Sequence, residues 1–219
     1  MYRLFPFLYA FIAFLFINGC NTNQKVDRQA VREEMKAREL KKISKAEITE
    51  KGLELGNAIA TQAQQTLQKN LLRAMNEKGV PGAISYCNAN ALDLVQELED
   101  SLDVKIFRVS SKYRNPVDEP DSLETLILEA YEYNKENDLV LESSIQEESD
   151  EILLYTKPIS INNPLCLQCH GKIGEELSSE NYDVISGYYP EDKAHGYELE
   201  QLRGMWSIRI PKKTIVNSL

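Results

Sequence analysis

The chain has 219 residues and a formal net charge of −9, with 34 acidic against 25 basic side chains and 42% hydrophobic residues. This length and hydrophobic content suffice for one globular domain with a substantial core. The excess of negative charge disfavours a surface for nucleic acid or for anionic lipid head groups, so we expect no nucleic-acid partner.

The N-terminus has the pattern of a secretory signal. Arg3 precedes an apolar run over residues 4–17, which is shorter than the roughly 20 apolar residues that a membrane span needs. The following Ile17-Asn18-Gly19-Cys20 resembles a bacterial lipoprotein cleavage box. We therefore predict a signal peptide at residues 1–19 and a lipid anchor on Cys20, with an uncleaved signal anchor as the alternative. Both place the folded part on the periplasmic side of a bacterial membrane, inner or outer.

Polar and charged residues fill the segment after Cys20, which predicts a solvated tether over residues 20–45 and one folded domain over residues 46–219. The domain begins with a predicted long helix, because apolar residues recur every four positions from residue 55 to residue 71. Gly79-Val80-Pro81-Gly82 breaks the chain. A second helix is predicted over about residues 83–98, with Cys87 on its apolar side and pointing inward.

Alternating apolar and polar residues predict strands at 104–109, 139–143, 152–161 and 204–210. The acidic residues 146–151 are expected at a hairpin tip. Ser122 and Glu124 can open a helix between the first two strands. The fold class predicted by this pattern is α+β, an antiparallel sheet with flanking helices and a long N-terminal helix.

Cys166-Leu167-Gln168-Cys169-His170 has the Cys-x-x-Cys-His spacing at which two thiols form thioether bonds to heme c and the histidine becomes the proximal iron ligand. A zinc half-site or a redox-active disulfide is the alternative. Zinc needs further ligands, and the sequence has no second cluster. A thioredoxin-like pair starts a helix in a βαβ unit, whereas Pro158 and Asn162-Asn163-Pro164 predict a loop here. We therefore predict one heme c on Cys166 and Cys169, with His170 proximal.

Several spaced motifs within residues 48–211 resemble the family of heme c-binding, PAS-like domains. They are Ala83-Ile84-x-x-Cys87, Arg108-Val109-Ser110 leading to Arg114-Asn115-Pro116, Tyr155-x-Lys157-Pro158, Cys166 to Gly171, Gly196-Tyr197 and Leu202-Arg203-Gly204-x-Trp206. The resemblance implies a PAS-like antiparallel sheet with one covalent heme, as found in periplasmic cytochromes and in sensor regions. It also implies a His/Cys axial pair, which on this sequence is His170 and Cys87.

The residues alone also make Cys87 a candidate iron ligand. With Cys20 lipidated and two thiols on the porphyrin, Cys87 would be the one unpaired thiol in an oxidising compartment. A plain buried cysteine is the alternative. His195, in a polar loop, is the next candidate, ahead of Met75 and Met205.

Basic residues before the Asn115-Pro116 turn are candidates to bind the heme propionates, foremost Arg108 and Arg114, with Lys112 between them. Solvated charges at a strand end are the alternative. Four aromatic residues are candidates to line the heme, or are simply core residues: Tyr155, Tyr188, Tyr189 and Trp206.

These features predict a membrane-anchored monoheme cytochrome that acts with a redox partner protein in electron transfer or redox sensing. A thiolate ligand lowers the reduction potential, which suits such a role. The alternative is a heme-based sensor of a small gas or ligand; we expect it to have no output domain after residue 219 and therefore to signal through a partner protein. We expect no enzymatic activity, because the sequence offers no distal acid-base pair and a filled sixth site blocks peroxide.

Overall fold

This computed structural model describes residues 27–37, 43–90 and 93–218. The chain divides into two units, residues 1–42 and residues 43–219. In the first unit, helix α1 (Arg28–Ala37) is capped by Asp27, whose carboxylate accepts from the backbone N–H groups of Gln29 and Ala30. The predicted signal peptide and Cys20 lie outside the described residues. No helix in the described ranges is both long and apolar enough to cross a membrane.

The second unit begins with helix α2 (Lys45–Asn90), which confirms the predicted long N-terminal helix. Ser44 and Glu47 form a reciprocal capping box at its start, with the Glu47 N–H 3.2 Å from Ser44 Oγ and the Ser44 N–H 2.7 Å from Glu47 Oε2. The predicted break appears as a kink at Gly79 (φ 68°, ψ −174°), a backbone conformation that glycine adopts without a steric penalty. Helix α3 (Asp93–Leu102) follows, and the second predicted helix is described as helical up to Asn90 and again from Asp93.

Four strands form one antiparallel sheet in the order β1-β4-β3-β2. They are β1 (Lys105–Val109), β2 (Ser144–Glu147), β3 (Ile152–Ser160) and β4 (Leu202–Pro211). The α+β class with an antiparallel sheet and flanking helices is therefore confirmed.

The prediction of a strand at residues 139–143 is wrong. Leu139 and Val140 are 52% and 75% exposed, and pairing with β3 begins at Ser144, opposite Thr156. The hairpin tip is accordingly shorter than the predicted residues 146–151, because Gln146 and Glu147 already pair with β3. The three consecutive apolar residues 139–141 resemble a strand in sequence, but here they form part of the link between a helix and β2.

Helices cover both faces of the sheet, and the alternating side chains of β4 are apolar on both faces. Trp206, Ile208 and Ile210 alternate toward the face that packs on α2, in the main core with Ile59 and Tyr155. Met205 points to the opposite face, where it packs against helix α4 (Ser122–Glu136). Asp121, and not Ser122, is the N-cap of α4, and it forms a capping box with Glu124.

Three short helices complete the domain: α5 (Pro164–His170), α6 (Ser179–Tyr188) and α7 (Lys212–Asn217). The Cys-x-x-Cys-His motif forms α5, so the prediction that it lies on a loop is wrong. The Asn163 side chain caps the Leu165 N–H at 2.9 Å and Pro164 takes the first helical position, where its missing N–H costs nothing. Asn-Pro begins a helix here and does not form a turn.

Candidate functional site

Helix α5 gathers the three residues of the motif in one turn. Cys166 and Cys169 are three positions apart and His170 is four positions after Cys166, so the three side chains share one side of the helix. Both thiols are free. Cys166 packs against the cluster of Ile161, Leu167 and Tyr197, and Cys169 against the cluster around Ile84 and Ile185. The two cysteines therefore lie at the junction of two small apolar clusters.

His170 is held by a hydrogen bond to the backbone. Its Nδ1 lies 2.7 Å from the carbonyl oxygen of Ala194. A carbonyl oxygen only accepts, so Nδ1 bears the proton and the lone pair of the neutral ring is on Nε2. Burial, followed by the nearby guanidinium groups of Arg203 and Arg114, holds the pKa of His170 well below its usual range. His170 is thus a neutral imidazole with Nε2 available to a metal.

Arg114 fixes the loop that contains Ala194. Its Nε donates to Asp192 Oδ1 at 3.1 Å, and its Nη2 donates to the carbonyls of Cys169 (2.6 Å) and Ala194 (3.1 Å). One guanidinium therefore joins the C-terminal end of α5 to the loop that orients His170. Arg114 was predicted as a propionate ligand, and the structure gives it protein acceptors at these positions.

Further hydrogen bonds hold the end of α5 and the loop at residues 195–197 in place. The N–H of Gly196 donates to the carbonyl of Gly171 at 2.8 Å, and the N–H of Tyr197 donates to that of His170 at 2.9 Å. Lys112 Nζ donates to the carbonyl of His195 at 2.7 Å. Because these contacts link segments far apart in the chain, the orientation of His170 depends on the folded domain and not on α5 alone.

Cys87 lies on α2 and is partly buried. Burial raises the pKa of its thiol, and the charges of Arg108 and Arg114 partly oppose this shift. Burial raises the pKa of the Cys169 thiol, the charge of Arg114 opposes this shift, and the charge of Cys87 adds to it. The fold therefore brings Cys87 close enough to α5 for their charges to interact, although Cys87 and Cys166 are 79 positions apart in the sequence.

Three arginines lie close enough to influence one another near the site: Arg108, Arg114 and Arg203. The Arg108 guanidinium lies 5.8 Å from the centre of the Trp206 ring. Burial lowers the pKa of Arg203, and burial raises the pKa of the neighbouring Asp118 carboxyl against the pull of Arg108 and Arg203. Arg203 and Asp118 were not predicted as site residues. The motif Leu202-Arg203-Gly204 was a signal for the first, and no local pattern pointed to the second.

The other candidate ligands have different surroundings. His195 is half-buried and packs edge-on against Tyr182, with 5.4 Å between ring centres. Met205 is fully buried between β1 and α4, among Val109, Leu128 and Tyr131. Met75 lies on α2, before the kink.

The aromatic candidates divide into two groups. Tyr155 and Trp206 belong to the main core under α2. Tyr188 donates to Ser85 Oγ at 3.0 Å. Tyr189 packs against the same apolar cluster as Cys169, and burial and then the charge of Cys87 raise the pKa of its hydroxyl. Two of these four therefore relate directly to predicted site residues: Trp206 through the Arg108 guanidinium over its ring, and Tyr189 through the apolar cluster that it shares with Cys169.

Within residues 27–37, 43–90 and 93–218, no group of three or more His, Cys, Asp and Glu side chains is arranged to hold a metal ion. Helix α5 instead carries one neutral imidazole and two free thiols, and the cations Arg114 and Arg203 lie near them.

Comparisons with known proteins give one family and one solved structure. A family model described as Tll0287-like matches residues 22–211. The crystal structure of the cyanobacterial heme-protein Tll0287 is similar to this chain with a TM-score of 0.52 and 24% sequence identity, covering 72% of this chain and 94% of that one. No curated protein matches the chain.

Proposed function

Since the chain belongs to the Tll0287-like family, we propose that it is an extracytoplasmic c-type cytochrome with one heme, anchored to a membrane through Cys20, that works in electron transfer or redox sensing. Cys166 and Cys169 would form the thioether bonds. When bound, the heme supplies a one-electron ferric/ferrous couple. The solved relative is titled a heme protein, which supports the cofactor class.

The observation on which this proposal mainly rests is the 2.7 Å hydrogen bond from His170 Nδ1 to the Ala194 carbonyl. A histidine that ligates a metal usually donates its other ring N–H to a carbonyl or carboxylate, which fixes the tautomer and the ring orientation. His170 has this arrangement one position after Cys169, as the Cys-x-x-Cys-His chemistry requires. A histidine serving only as a core residue would not need Nε2 to remain free.

The charges around α5 also fit a porphyrin with two carboxylates. The protein is acidic overall, yet Arg108, Arg114 and Arg203 gather at this place. Asp192 is paired with Arg114, and burial raises the pKa of the Asp118 carboxyl. Carboxylates of a cofactor would balance the remaining positive charge.

Cys87 is our proposed sixth iron ligand. Its position on α2 brings a partly buried thiol near Cys169. Burial raises the pKa of this thiol, and the charges of Arg108 and Arg114 oppose the shift only in part. A thiolate ligand stabilises ferric iron, which supports a low-potential role. Burial acts against the thiolate, so reduction would favour its protonation and release. This last property supports the second candidate, a sensor of a small gas or ligand that acts through a partner protein.

Spectroscopy of matched variants tests these roles. The chain is expressed with its own leader in a host that matures c-type cytochromes, then denatured and assayed as a pyridine hemochrome. We expect covalent heme in the wild type and in Cys87→Ser, and its loss in the double variant Cys166→Ala/Cys169→Ala. In Cys87→Ser the thiolate signature of the ferric EPR spectrum should vanish. A colourless wild type would refute the heme assignment, and an unchanged Cys87→Ser spectrum would refute the sixth ligand.

The anchor needs a separate test. Labelling with a radioactive fatty acid should mark the wild type and leave Cys20→Ser unlabelled. An equally labelled variant would show that Cys20 is not the lipidated residue.

A further inference from the structure

We propose that Arg203 binds a heme propionate, with its buried Nε–H as the donor. This inference rests on the proposed heme and adds the residue that holds one of its carboxylates. Arg203 lies on β4, immediately before Gly204.

The first argument is an unsatisfied donor. Among the residues that the structure describes, Arg203 Nε is the one buried side-chain nitrogen or oxygen without a hydrogen-bond partner. Buried polar groups almost always have partners, and a cationic N–H without one is especially costly. Since the described residues leave no other such group unpaired, this donor indicates an acceptor that does not belong to the chain.

The second argument is that Arg203 is held in place. Its Nη1 donates to the carbonyl of Lys112 at 3.1 Å, and its own carbonyl accepts from Ser110 Oγ at 2.7 Å. At Gly204 (φ 154°) the strands approach so closely that a Cβ would overlap the carbonyl oxygen of Val109. These contacts fix both ends of the Arg203 residue, so Nε cannot turn to solvent without breaking them.

The third argument is position relative to His170. The Tyr197 ring contacts both residues, with the Arg203 guanidinium 5.5 Å from its centre and the His170 ring centre 6.2 Å away. The unpaired donor therefore lies beside the proposed proximal ligand.

The fourth argument is charge. Arg203 forms no ion pair within the described ranges, whereas Arg114 has Asp192. An anion is the acceptor that such a guanidinium favours, and a carboxylate matches its planar geometry. A carboxylate on a porphyrin ligated by His170 meets all four conditions.

Three variants test the proposal on the holoprotein. Arg203→Gln removes the charge, Arg203→Lys keeps the charge without the Nε–H, and Arg73→Gln removes an exposed arginine on α2 as the matched control. Heme content by pyridine hemochrome is measured first. A wild type without heme would contradict the proposed function, which is a different result from any outcome below.

Resonance Raman reports the hydrogen bonding of the propionates directly. We expect the propionate bending band to shift in both Arg203 variants and to stay in place in Arg73→Gln. Loss of a nearby cation disfavours the ferrous state, so Arg203→Gln should change the ferric-to-ferrous ratio at a fixed potential about tenfold, or about 59 mV in midpoint potential. Arg203→Lys should change it less. Full heme content with an unmoved band in Arg203→Gln would overturn the proposal.

A measurement on the wild type covers the case in which both variants misfold. In the ¹⁵N-labelled ferrous protein, the Arg203 Nε–H should exchange slowly with solvent and show a nuclear Overhauser effect to the propionate methylene protons. Rapid exchange without such a contact would equally overturn the proposal.

Discussion

Replacing Arg114 by Met should destabilise the domain strongly, because it leaves a buried carboxylate without its cation. The side chains of Arg114 and Asp192 are 14% and 1% exposed. The variant also removes the donors to the carbonyls of Cys169 and Ala194. Breaking a buried ion pair by removing one partner costs about 3–5 kcal/mol. In a domain of this size about 1 kcal/mol corresponds to ~2–4 °C in Tm, so we expect Tm to fall by at least about 6 °C.

Urea denaturation of the wild type, Arg114→Met, Asp192→Asn and the double variant gives the coupling energy. The double variant should recover part of the loss, because Asn leaves no charge buried while its amide oxygen can still accept from the Ala194 N–H, as Asp192 does at 2.9 Å. Arg73→Met, on an exposed part of α2, is the control and should change stability by less than about 0.5 kcal/mol. A loss below about 1 kcal/mol in Arg114→Met, or strict additivity of the two single variants, would refute the reasoning.

Two further variants test the packing and the electrostatics of the domain. In Gly56→Ala, the new Cβ would overlap the ring of Tyr155, so we expect a loss of about 1–3 kcal/mol in thermal or urea denaturation; Gly187→Ala, where a Cβ meets no atom within 4 Å, should be neutral or slightly stabilising. Burial raises the pKa of the Asp118 carboxyl, so the folded state keeps this proton after the unfolded state has lost it near pH 4. Stability contributed by Asp118 is therefore present below about pH 4 and is lost as the pH rises through the higher folded pKa. Asp118→Asn should remove that slope from urea denaturation measured between pH 4 and pH 7, and Asp150→Asn, at the exposed hairpin tip, should keep it; a slope that persists in Asp118→Asn would assign it to another group.

Local sequence patterns were sufficient to predict most of the fold. The four-residue period from Leu55 to Leu71 predicted the first part of α2, and Gly79 with Pro81 predicted its kink. The alternation in β4 predicted a strand because each face of that strand meets a different helix. The errors fall where one pattern has two structural outcomes. Asn163-Pro164 can form a turn or the start of a helix, and only the contacts of the following residues distinguish them.

The candidate site was predicted less completely, because its decisive contacts join segments that are far apart in the chain. The spacing of Cys166, Cys169 and His170 is local, and the sequence alone identified it. The partners of Arg114 at residues 169, 192 and 194 could not be predicted from local sequence patterns. They lie 55 to 80 positions from Arg114 in the sequence and meet it only in the folded domain.

Contacts between distant segments also distinguish Arg114, which the sequence indicated as a propionate ligand, from Arg203, which it did not. Arg114 is used within the protein, because its Nε and Nη2 bond to acceptors from α5 and the following loop. Arg203 is fixed by equally distant contacts, yet they leave its buried Nε without an acceptor. A fold that gives both Nε and Nη2 of one guanidinium protein acceptors favours a structural role for that arginine, and a second guanidinium that it holds with its buried Nε unpaired is the better donor for the ligand proposed above.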